Sequence, residues 1–377
     1  MASKIKIVYV ISDMKRSVFF EAVFSALDKE QFDISLILLN SRDSTFEQYI
    51  KDLNIPVWRL PLPTKKDYWR VGRQIYLILR RLKPQIVHTH MRDADFLGLS
   101  AAWAGGVKVR IHTRHFSTNN HDYYPHAVKY DRLINRMATH IIAISDNVRQ
   151  VLTEREGVPP NKVFVLYNAH DLQPFAQVDA HEINTLRQKY ALFQQYPVIG
   201  CIARYTTLKG HQYLIAAFAQ LLKKFPNARL MLANANGSEK QIIKAQLEQQ
   251  LPKESYTEIE FEEQIHALYH LFDVFVHVPI DRYVEGFGFT YIEALAAGIP
   301  SIFTLSGVAT EFIIDGHNAL VVPYCSAEAI EKALYRLLSD KKLREQLSTA
   351  GKLSVAPFDI KIHAPKLMEF YKNSVLK

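Results

Sequence analysis

Cysteine and long hydrophobic runs are scarce in this sequence. Only Cys201 and Cys325 occur, and neither has the spacing of a metal ligand, which argues against structural zinc and fits a reducing compartment. No apolar run approaches the roughly 18 residues of a membrane-spanning helix. Residues 4–12 (KIKIVYVIS) are also too short, and we expect a first β-strand there instead of a signal peptide. We therefore expect a cytoplasmic protein.

Two further motifs are missing. No G-x-G-x-x-G follows the first predicted strand, which argues against a dehydrogenase that binds a dinucleotide. No recognisable nucleic-acid reader motif accompanies the basic residues, so we expect no nucleic-acid partner. Low-complexity segments are absent, and the only internal similarity is the general pattern of the two halves.

The composition is that of an ordinary globular protein that is long enough for two domains. The 377 residues are 48% hydrophobic and 22% charged. Strand-like and helical segments alternate, which predicts βαβ units and parallel sheets, and the pattern starts again near Pro197. The predicted strands of the first half are 4–12, 32–40, 56–61, 85–90, 107–115, 140–145 and 163–168.

The segment EGFGFTYIE carries two carboxylates, Glu285 and Glu293, around a glycine-rich turn. A buried strand (273–279) precedes the turn and a helix follows it, and ligands of such units gather at the carboxyl ends of strands. Gly286 and Gly288 let the backbone approach a ligand, and the helix N-terminus suits a phosphate. Carboxylates beside an anion site would repel the anion, so we expect them to face neutral hydroxyls. A sugar nucleotide offers both chemical groups.

Simpler interpretations exist for both carboxylates. Thr290 and Glu293 have the spacing of a capping box, in which Glu293 would only bond back to the helix start. Glu285 could be a solvated loop carboxylate.

A second cluster lies about eighty residues earlier. Arg204 follows a buried strand (196–203), and Lys209 and Gly210 precede an apolar-periodic helix. Two cations at a helix start are poorly placed for the helix dipole unless an anion docks there. The alternative is a pair of ordinary surface cations.

At this point the chain resembles a known family. The pattern G-x-x-x-R-x-x-x-x-K-G (200–210), then E-G-F-G and E-A-x-A-x-G-x-P, and then GVATEFIIDGHNALVVP (307–323) are similar to the carboxy-terminal domain of the retaining glycosyltransferases of family 4. The likeness extends over the whole second half of the chain. It implies the GT-B fold, an α/β architecture in which two doubly wound, Rossmann-like domains face each other across a cleft.

The resemblance also implies domain limits. We expect an acceptor-side domain at 1–172, a polar linker at 173–195 and a nucleotide-sugar-binding domain at 196–358. In proteins of this fold the last helix crosses back onto the first domain, and residues 359–377 match that helix.

The family's functional residues match positions in both clusters. By resemblance, Arg204 and Lys209 bind the donor diphosphate, Glu285 contacts the transferred sugar and Glu293 holds the ribose. The remaining donor-binding residues are those of the turn between the carboxylates: Gly286, Phe287 and Gly288. Among these residues we expect Glu285, Lys209 and Arg204 to be catalytic.

Histidines cluster in the first half. His88 and His90 end one predicted strand, and His112 and His115 end the next. An H-x-H pair on a strand shares one face, so a metal site is conceivable, but no firm third ligand accompanies it. The resemblance places a histidine near the donor sugar at the position of His115, which we expect to be catalytic. Packing in the core is the alternative.

Asp93 and Asp95 spell D-x-D, a metal-diphosphate motif of another glycosyltransferase architecture. Both stand where a helix is predicted to start, which suits acidic residues without any ligand. We expect Arg204, Lys209 and the helix end to neutralise the diphosphate, with no metal and no cofactor.

Positive charge is concentrated in the first half. Residues 1–170 contain 25 Lys and Arg against 16 Asp and Glu, while the whole chain has a net charge of +8. A predicted helix within 65–83 combines cations with Tyr68 and Trp69, a composition typical of surfaces that contact anionic lipid. A solvated basic helix is the alternative. We expect peripheral contact with the inner face of the cell membrane.

The resemblance implies a retaining transfer of a hexose-type sugar from a nucleoside-diphosphate sugar. A lipid-linked glycan of cell-envelope polysaccharide or lipopolysaccharide synthesis is the expected acceptor. Two alternatives stay open: a sugar-nucleotide epimerase of the same fold, and a non-catalytic subunit that binds sugar nucleotides.

The chain departs from the family in two loops. Residues 12–17 (SDMKRS) lack the usual glycine pair, and 232–239 (LANANGSE) keep only Gly237. Both changes affect where the acceptor and the nucleotide are expected to lie.

Overall fold

The computed structural model describes residues 4–376, which divide into two α/β units. Unit 1 comprises residues 1–171 and 358–377, and unit 2 comprises 172–357. All seven strands predicted for the first half are present. They are β1 (Ile5–Ser12), β2 (Phe32–Leu39), β3 (Val57–Arg59), β4 (Ile86–His90), β5 (Val109–Arg114), β6 (His140–Ala143) and β7 (Val163–Val165).

The strands of unit 1 form one parallel sheet in the order β3-β2-β1-β4-β5-β6-β7. Neighbouring residues of β1 pack into different hydrophobic cores: Ile7, Tyr9 and Ile11 into one, Val8 and Val10 into the other. Because both faces of the sheet are buried, β1 and β2 are largely apolar along their length, as in other parallel sheets.

The helices of unit 1 connect these strands. They are α1 (Val18–Ala26), α2 (Thr45–Asp52), α3 (Tyr68–Leu82), α4 (Arg92–Ala104), α5 (Asn119–Tyr123), α6 (Val128–Met137) and α7 (Asp146–Gln150). α1 and α7 begin at serine N-caps whose hydroxyls accept a backbone N–H of the first turn. A single serine in the local sequence therefore defines the N-terminus of each of these two helices.

Unit 2 contains a second parallel sheet, in the order β10-β9-β8-β11-β12-β13. Its strands are β8 (Val198–Ile202), β9 (Arg229–Ala233), β10 (Tyr256–Ile259), β11 (Val274–His277), β12 (Ser301–Phe303) and β13 (Leu320–Val321). Its helices are α8 (Gln173–Ala176), α9 (Ala180–Lys189), α10 (His211–Leu221), α11 (Lys240–Gln250), α12 (Ile265–Tyr269), α13 (Phe289–Ala296), α14 (Ala309–Phe312), α15 (Ala327–Ser339) and α16 (Lys341–Ser354). The α/β, doubly wound prediction is therefore confirmed for both halves.

The segment 173–195, for which the sequence predicts a polar linker, carries α8 and α9. Its side chains contact unit 2: Lys189 Nζ lies 2.7 Å from Glu262 Oε2, and Tyr190 donates to the same oxygen at 2.5 Å. This segment is therefore a folded part of unit 2 and not a separate linker.

The last helix, α17 (Ile360–Leu376), belongs to unit 1. The hydroxyl of Tyr371 lies 2.6 Å from His88 Nδ1 and also contacts the hydroxyl of Tyr9 in β1. His363 Nδ1 lies 2.7 Å from the carbonyl oxygen of Tyr167. These buried contacts fix the end of the chain to the first sheet. Among residues 4–376, every helix is too short or too polar to span a lipid bilayer.

The buried histidines of unit 1 make its stability depend on pH. Burial, together with neighbouring histidines, holds the pKa of His88 and His90 well below the usual value, and burial lowers the pKa of His363 to about 4. Below about pH 6.5 these three imidazoles become protonated in the unfolded chain but stay neutral in the folded protein. The free energy of unfolding is therefore expected to fall as the pH drops below 6.5, by up to about 1.4 kcal/mol per pH unit for each such histidine.

Urea unfolding at several pH values between 5 and 7.5 checks this expectation. All three tryptophans of the chain (Trp58, Trp69 and Trp103) lie in unit 1, so their fluorescence reports this unit. His90→Gln should make the dependence on pH shallower, whereas His126→Gln, at an exposed position, should leave it unchanged. An equal slope in all three proteins would contradict the expectation.

Candidate active site

The predicted donor-binding residues lie at the carboxyl edge of the sheet in unit 2. The strand order reverses between β8 and β11, and in open α/β sheets ligands bind at such a switch point. Arg204 and Lys209 follow β8, whereas Glu285 follows β11, so neighbouring strands deliver them to the same edge.

Lys209 is brought to the edge by a short turn. Thr207–Lys209 form one 3₁₀ turn, and Gly210 is the N-cap residue of α10. Gly210 has φ +76°, and a Cβ at this position would lie 2.0 Å from the carbonyl oxygen of Val278. Only glycine fits here, so the approach of α10 to the end of β11 depends on it. Arg204 is exposed and forms no ion pair with the described residues.

Glu285 is the centre of a compact charged cluster. Its Oε1 lies 2.5 Å from Lys209 Nζ and accepts a hydrogen bond of 2.9 Å from His277 Nε2. Its backbone N–H donates to Ser306 Oγ at 3.0 Å. The side chains of Lys209 and Glu285 are only 14% and 13% exposed. The other carboxylate oxygen, Oε2, has no hydrogen-bond partner among residues 4–376.

The neighbours of Glu285 keep it ionised. Burial by itself would raise the pKa of this carboxyl, but the Lys209 ammonium and the hydrogen bond from His277 outweigh burial and lower it to about 2. Burial also lowers the pKa of His277, so its ring is neutral and donates through Nε2. At neutral pH the cluster therefore contains one cation, one anion and one neutral donor.

The turn between the two carboxylates ends at Gly288. This residue has φ +95° and is the N-cap of α13, with no side-chain cap bond. Gly286 lies in the loop just before it, and Phe287 is buried. Since the helix begins at Phe289, Thr290 is not an N-cap and the capping-box interpretation is wrong.

Glu293 lies inside α13, where its side chain has a tertiary partner. Tyr269 Oη, at the end of α12, donates to Glu293 Oε2 at 2.8 Å. Burial, together with the neighbouring Glu293 carboxylate, raises the pKa of Tyr269 well above its usual value, so the phenol stays a donor. Glu293 is partly exposed, and its role toward a ribose stays a prediction.

Sequence reasoning missed two members of this site, His277 and Ser306. His277 is a single polar residue at the carboxyl end of an apolar, fully buried strand, which is a detectable signal. Ser306 follows β12 by three residues, and only the sheet order places it beside Glu285.

His115 lies in unit 1, just after β5. Its Nε2 is 3.0 Å from His90 Nδ1, and burial lowers its pKa to about 4. His88 Nε2 lies 2.8 Å from Thr113 Oγ1. His115 therefore belongs to a layer of neutral imidazoles at the carboxyl edge of the first sheet. No group of three or more His, Cys, Asp or Glu side chains within residues 4–376 is arranged to hold a metal ion.

The D-x-D pair begins α4, as the sequence predicts for a helix start. Asp93 accepts a hydrogen bond of 2.5 Å from Tyr68 Oη, and Asp95 accepts one of 2.6 Å from Thr89 Oγ1. Both carboxylates stabilise the fold of unit 1.

The first βα loop replaces glycine with a non-glycine residue in a left-handed conformation. Asp13 has φ +54°, and Met14 is held by Asn40 through two bonds, of 2.9 Å to the backbone N–H and 2.5 Å to the carbonyl. The turn therefore forms without the glycine pair, and Met14 is buried.

Comparisons with known proteins match both halves of the chain. Residues 182–354 match the family model "Glycosyl transferases group 1", and residues 17–174 match "Glycosyltransferase Family 4". The chain is 26% identical to the capsular polysaccharide biosynthesis glycosyltransferase CapM of Staphylococcus aureus, over 99% of this chain and 98% of the relative.

Two further proteins are similar over their full length. A UDP-Gal:α-D-GlcNAc-diphosphoundecaprenol α-1,3-galactosyltransferase of Escherichia coli is 23% identical, over 99% of this chain and 98% of the relative. The crystal structure of HepE from Anabaena in complex with UDP-glucose matches with a TM-score of 0.85 at 17% identity, covering 98% of this chain and 99% of that one. The latter likeness concerns the fold.

Proposed function

Because this chain belongs to the group 1 glycosyltransferases of family 4, with the GT-B fold, we propose that it transfers a hexose-type sugar from a nucleoside-diphosphate sugar with retention of configuration. The acceptor in this proposal is a lipid-linked glycan of cell-envelope polysaccharide or lipopolysaccharide synthesis. The epimerase alternative is not favoured, because both family models and the full-length relatives are glycosyltransferases.

One observation supports this function most strongly. Lys209 and His277 both bond to Oε1 of Glu285, and Oε2 of the same carboxylate has no partner among residues 4–376. The pKa of this carboxyl is about 2, so Oε2 is ionised at neutral pH. An ionised oxygen held in place in this way accepts hydrogen bonds from sugar hydroxyls. Lys209 has three N–H donors and uses one for Glu285, so it can bind a phosphate oxygen while the ion pair stays intact.

The proposed chemistry follows from these charges. As the bond between the anomeric carbon and the phosphate oxygen breaks, its electron pair goes to the diphosphate, where negative charge grows. Arg204, Lys209 and the N-terminus of α10 stabilise this charge, and Lys209 does so from a largely buried position. Glu285 orients the sugar hydroxyls and offsets the positive character of the ring.

Retention requires that the acceptor attack the face from which the diphosphate leaves. We prefer a direct attack on that face to a covalent intermediate, because Lys209 and His277 hold the Glu285 carboxylate, Ser306 Oγ is bonded to the backbone N–H of Glu285, and no residue stands out as a nucleophile. The acceptor hydroxyl oxygen bonds to the anomeric carbon, and its proton goes to the departing phosphate oxygen. In this proposal His115 acts as the catalytic residue of unit 1.

The proposal assigns charge neutralisation to side chains instead of a metal. Arg204 and Lys209 provide two positive charges at the diphosphate position, and α10 and α13 both begin at this edge of the sheet. Activity is therefore expected to persist in excess chelator. Complete loss that manganese restores would contradict this part of the proposal.

The acceptor assignment is supported by the names of the full-length relatives. One is named for a diphosphoundecaprenol-linked acceptor and another for capsular polysaccharide biosynthesis. The excess of cations in residues 1–170 supports contact with an anionic membrane surface at the inner face of the cell membrane.

A panel of nucleotide sugars tests the function. UDP sugars come first because HepE was crystallised with UDP-glucose. A donor that binds tightly should raise the melting temperature, and nuclear magnetic resonance of that donor alone should then show slow hydrolysis to a sugar of unchanged anomeric configuration. An epimer would identify an epimerase, and a donor that binds but never reacts would identify a binding subunit.

Glu293→Gln is expected to raise the donor KM by about 10-fold or more with a smaller change in kcat, because a charged acceptor to the ribose hydroxyls is lost. Initial rates over a range of donor concentrations give both constants. Tyr269→Phe is the matched variant, since it removes the phenol but keeps the carboxylate. If Tyr269→Phe raises the KM as much as Glu293→Gln does, Glu293 only supports α12.

A further inference from the structure

Unit 1 contains an aromatic cavity that the proposed donor chemistry does not use. The cavity has a volume of about 550 Å³ and lies between the start of α3, the first turns of α4, and the segment 123–134. Pockets that hold small molecules have volumes of about 300–1,000 Å³. Five of its eleven lining residues are Tyr or Phe: Tyr68, Phe96, Tyr123, Tyr124 and Tyr130. We call it the aromatic cavity.

The rings of the aromatic cavity are unusually accessible. Tyr124 and Tyr130 are 60% and 48% exposed, although both line the same cavity. Tyr68 is held in place from the other side, since its hydroxyl donates to Asp93 at 2.5 Å and its ring centroid lies 6.0 Å from that of Phe96. Contiguous exposed aromatic surface of this kind marks a binding site for an apolar group.

Positive charge surrounds the aromatic cavity. Lys65 and Arg92 belong to its lining, and no carboxylate does. The opposite face of α6 presents Lys129, Arg132 and Arg136 in a second hollow, which shares Pro125 with the first and also lacks a lining carboxylate. The surface therefore fits a molecule that is apolar at one end and anionic at the other.

Two carboxylates near these cations already have partners: Asp93 accepts from Tyr68, and Asp131 on α6 accepts from Asn120. Asp131 is buried, where its Oδ2 accepts from Asn120 at 2.7 Å and lies 3.4 Å from Arg114. Arg92 also binds Asn120, at 2.6 Å, so this network fixes Arg92 at the wall of the aromatic cavity.

The aromatic cavity also lies where ligands of such a sheet are expected. α4, which supplies Arg92 and Phe96, starts at the carboxyl end of β4. The strand order of unit 1 reverses between β1 and β4, so this edge contains its switch point.

We propose that the aromatic cavity binds the lipid end of the acceptor, an isoprenoid chain attached to a diphosphate. The first units of the chain cover Phe96, Tyr124 and Tyr130, and the diphosphate binds to Lys65 and Arg92. A neutral glycan can stack on the rings but offers no anion to Lys65 and Arg92, and a free phosphate would use only the cations. This inference rests on the proposed function, because it assigns the acceptor's recognition site.

Binding of farnesyl diphosphate to the full-length protein, measured by calorimetry without donor, tests the inference. Tyr130→Ala and Tyr124→Ala should each weaken the affinity by 10-fold or more. The double variant Lys65→Gln with Arg92→Gln should weaken it similarly and flatten its dependence on salt. Trp103→Ala and Lys108→Gln, at exposed positions outside the lining, serve as controls and should bind like the wild type.

The probes also separate the possible ligands. Inorganic diphosphate and farnesol should each bind at least 10-fold more weakly than farnesyl diphosphate, because each offers half of the recognised molecule. If the cavity variants bind farnesyl diphosphate as tightly as the wild type does, the inference is overturned. A second outcome also overturns it: the cavity variants bind phosphatidylglycerol vesicles more weakly than the wild type does but bind farnesyl diphosphate equally well. The surface would then bind the lipid bilayer and not the acceptor.

Because binding is measured without donor, this result is independent of the transferase proposal. A protein that hydrolyses its donor but ignores farnesyl diphosphate would contradict this inference alone. A protein that binds the lipid but no nucleotide sugar would contradict the proposed function alone.

Discussion

Replacing Lys209 with alanine is expected to lower kcat by a factor of about 10²–10³, which corresponds to about 2.7–4 kcal/mol of lost transition-state stabilisation. The ammonium of Lys209 is the one cation of the site that is both largely buried and fixed, by its 2.5 Å contact with Glu285. Its charge matters most when negative charge develops on the leaving diphosphate. The donor KM should change less than kcat, because in the proposed site the ground-state diphosphate is also bound by Arg204 and the N-terminus of α10.

The control for Lys209→Ala must distinguish a loss of catalysis from a loss of folding stability. Removing one partner of a buried ion pair destabilises a protein, by roughly 3–5 kcal/mol. The kinetics of Lys209→Ala should therefore be read below its own melting temperature. Lys209→Arg keeps the charge and should recover part of kcat. Lys332→Ala, which breaks an exposed Lys–Glu pair on α15, is the matched control and should leave kcat unchanged. A Lys209→Ala protein with near wild-type kcat would remove Lys209 from the mechanism.

Local sequence patterns predicted the sheets because both faces of each are buried. Residues 5–12 and 32–39 are strands in which six of the eight side chains are apolar, so they are recognisable without information on their neighbours. The junctions of β8 with α10 and of β11 with α13 were predictable for the same reason. The loops after those strands carry Lys209 and Glu285, and the pairing of β8 with β11 brings the two residues together.

Contacts between distant segments were not predictable in this way. The hydrogen bond from Tyr269 to Glu293 joins two helices that are distant in sequence. The sequence instead suggests a capping box with Thr290, which lies only three residues from Glu293, and this interpretation is wrong. The capping box failed because Gly288, at φ +95°, lets α13 begin at Phe289.

His277 and the aromatic cavity illustrate the same limit. His277 stands out in the sequence as a polar residue at the end of an apolar strand, but only the fold shows that it donates to Glu285, eight residues later. The aromatic cavity joins residues 65–68, 92–96 and 123–134, none of which carries a binding motif by itself. The charge of the basic segment 65–83 predicts contact with anionic lipid, whereas the place of Lys65 and Tyr68 in the cavity wall follows only from the fold.

The charge of Glu285 is expected to matter as much as that of Lys209. Glu285→Gln keeps the size of the side chain and one carbonyl oxygen to accept from Lys209 and His277, but it removes the negative charge beside the reacting sugar. We expect kcat to fall by about 10²–10³, the magnitude typical of lost electrostatic stabilisation in a water-excluded site.

Three comparisons make the Glu285→Gln result decisive. Glu285→Asp retains the charge but shortens the side chain by one methylene, which moves the carboxylate away from the proposed position of the sugar. The kcat of this variant should therefore be low, while the donor Kd changes little. Glu345→Gln, at an exposed glutamate on α16, should behave like the wild type. The double variant Lys209→Ala with Glu285→Gln should lose less than the sum of the two single losses, because the residues are in contact and act on the same bond cleavage. Full additivity would show that the ion pair is not a catalytic unit, and an active Glu285→Gln enzyme would show that sugar binding occurs elsewhere.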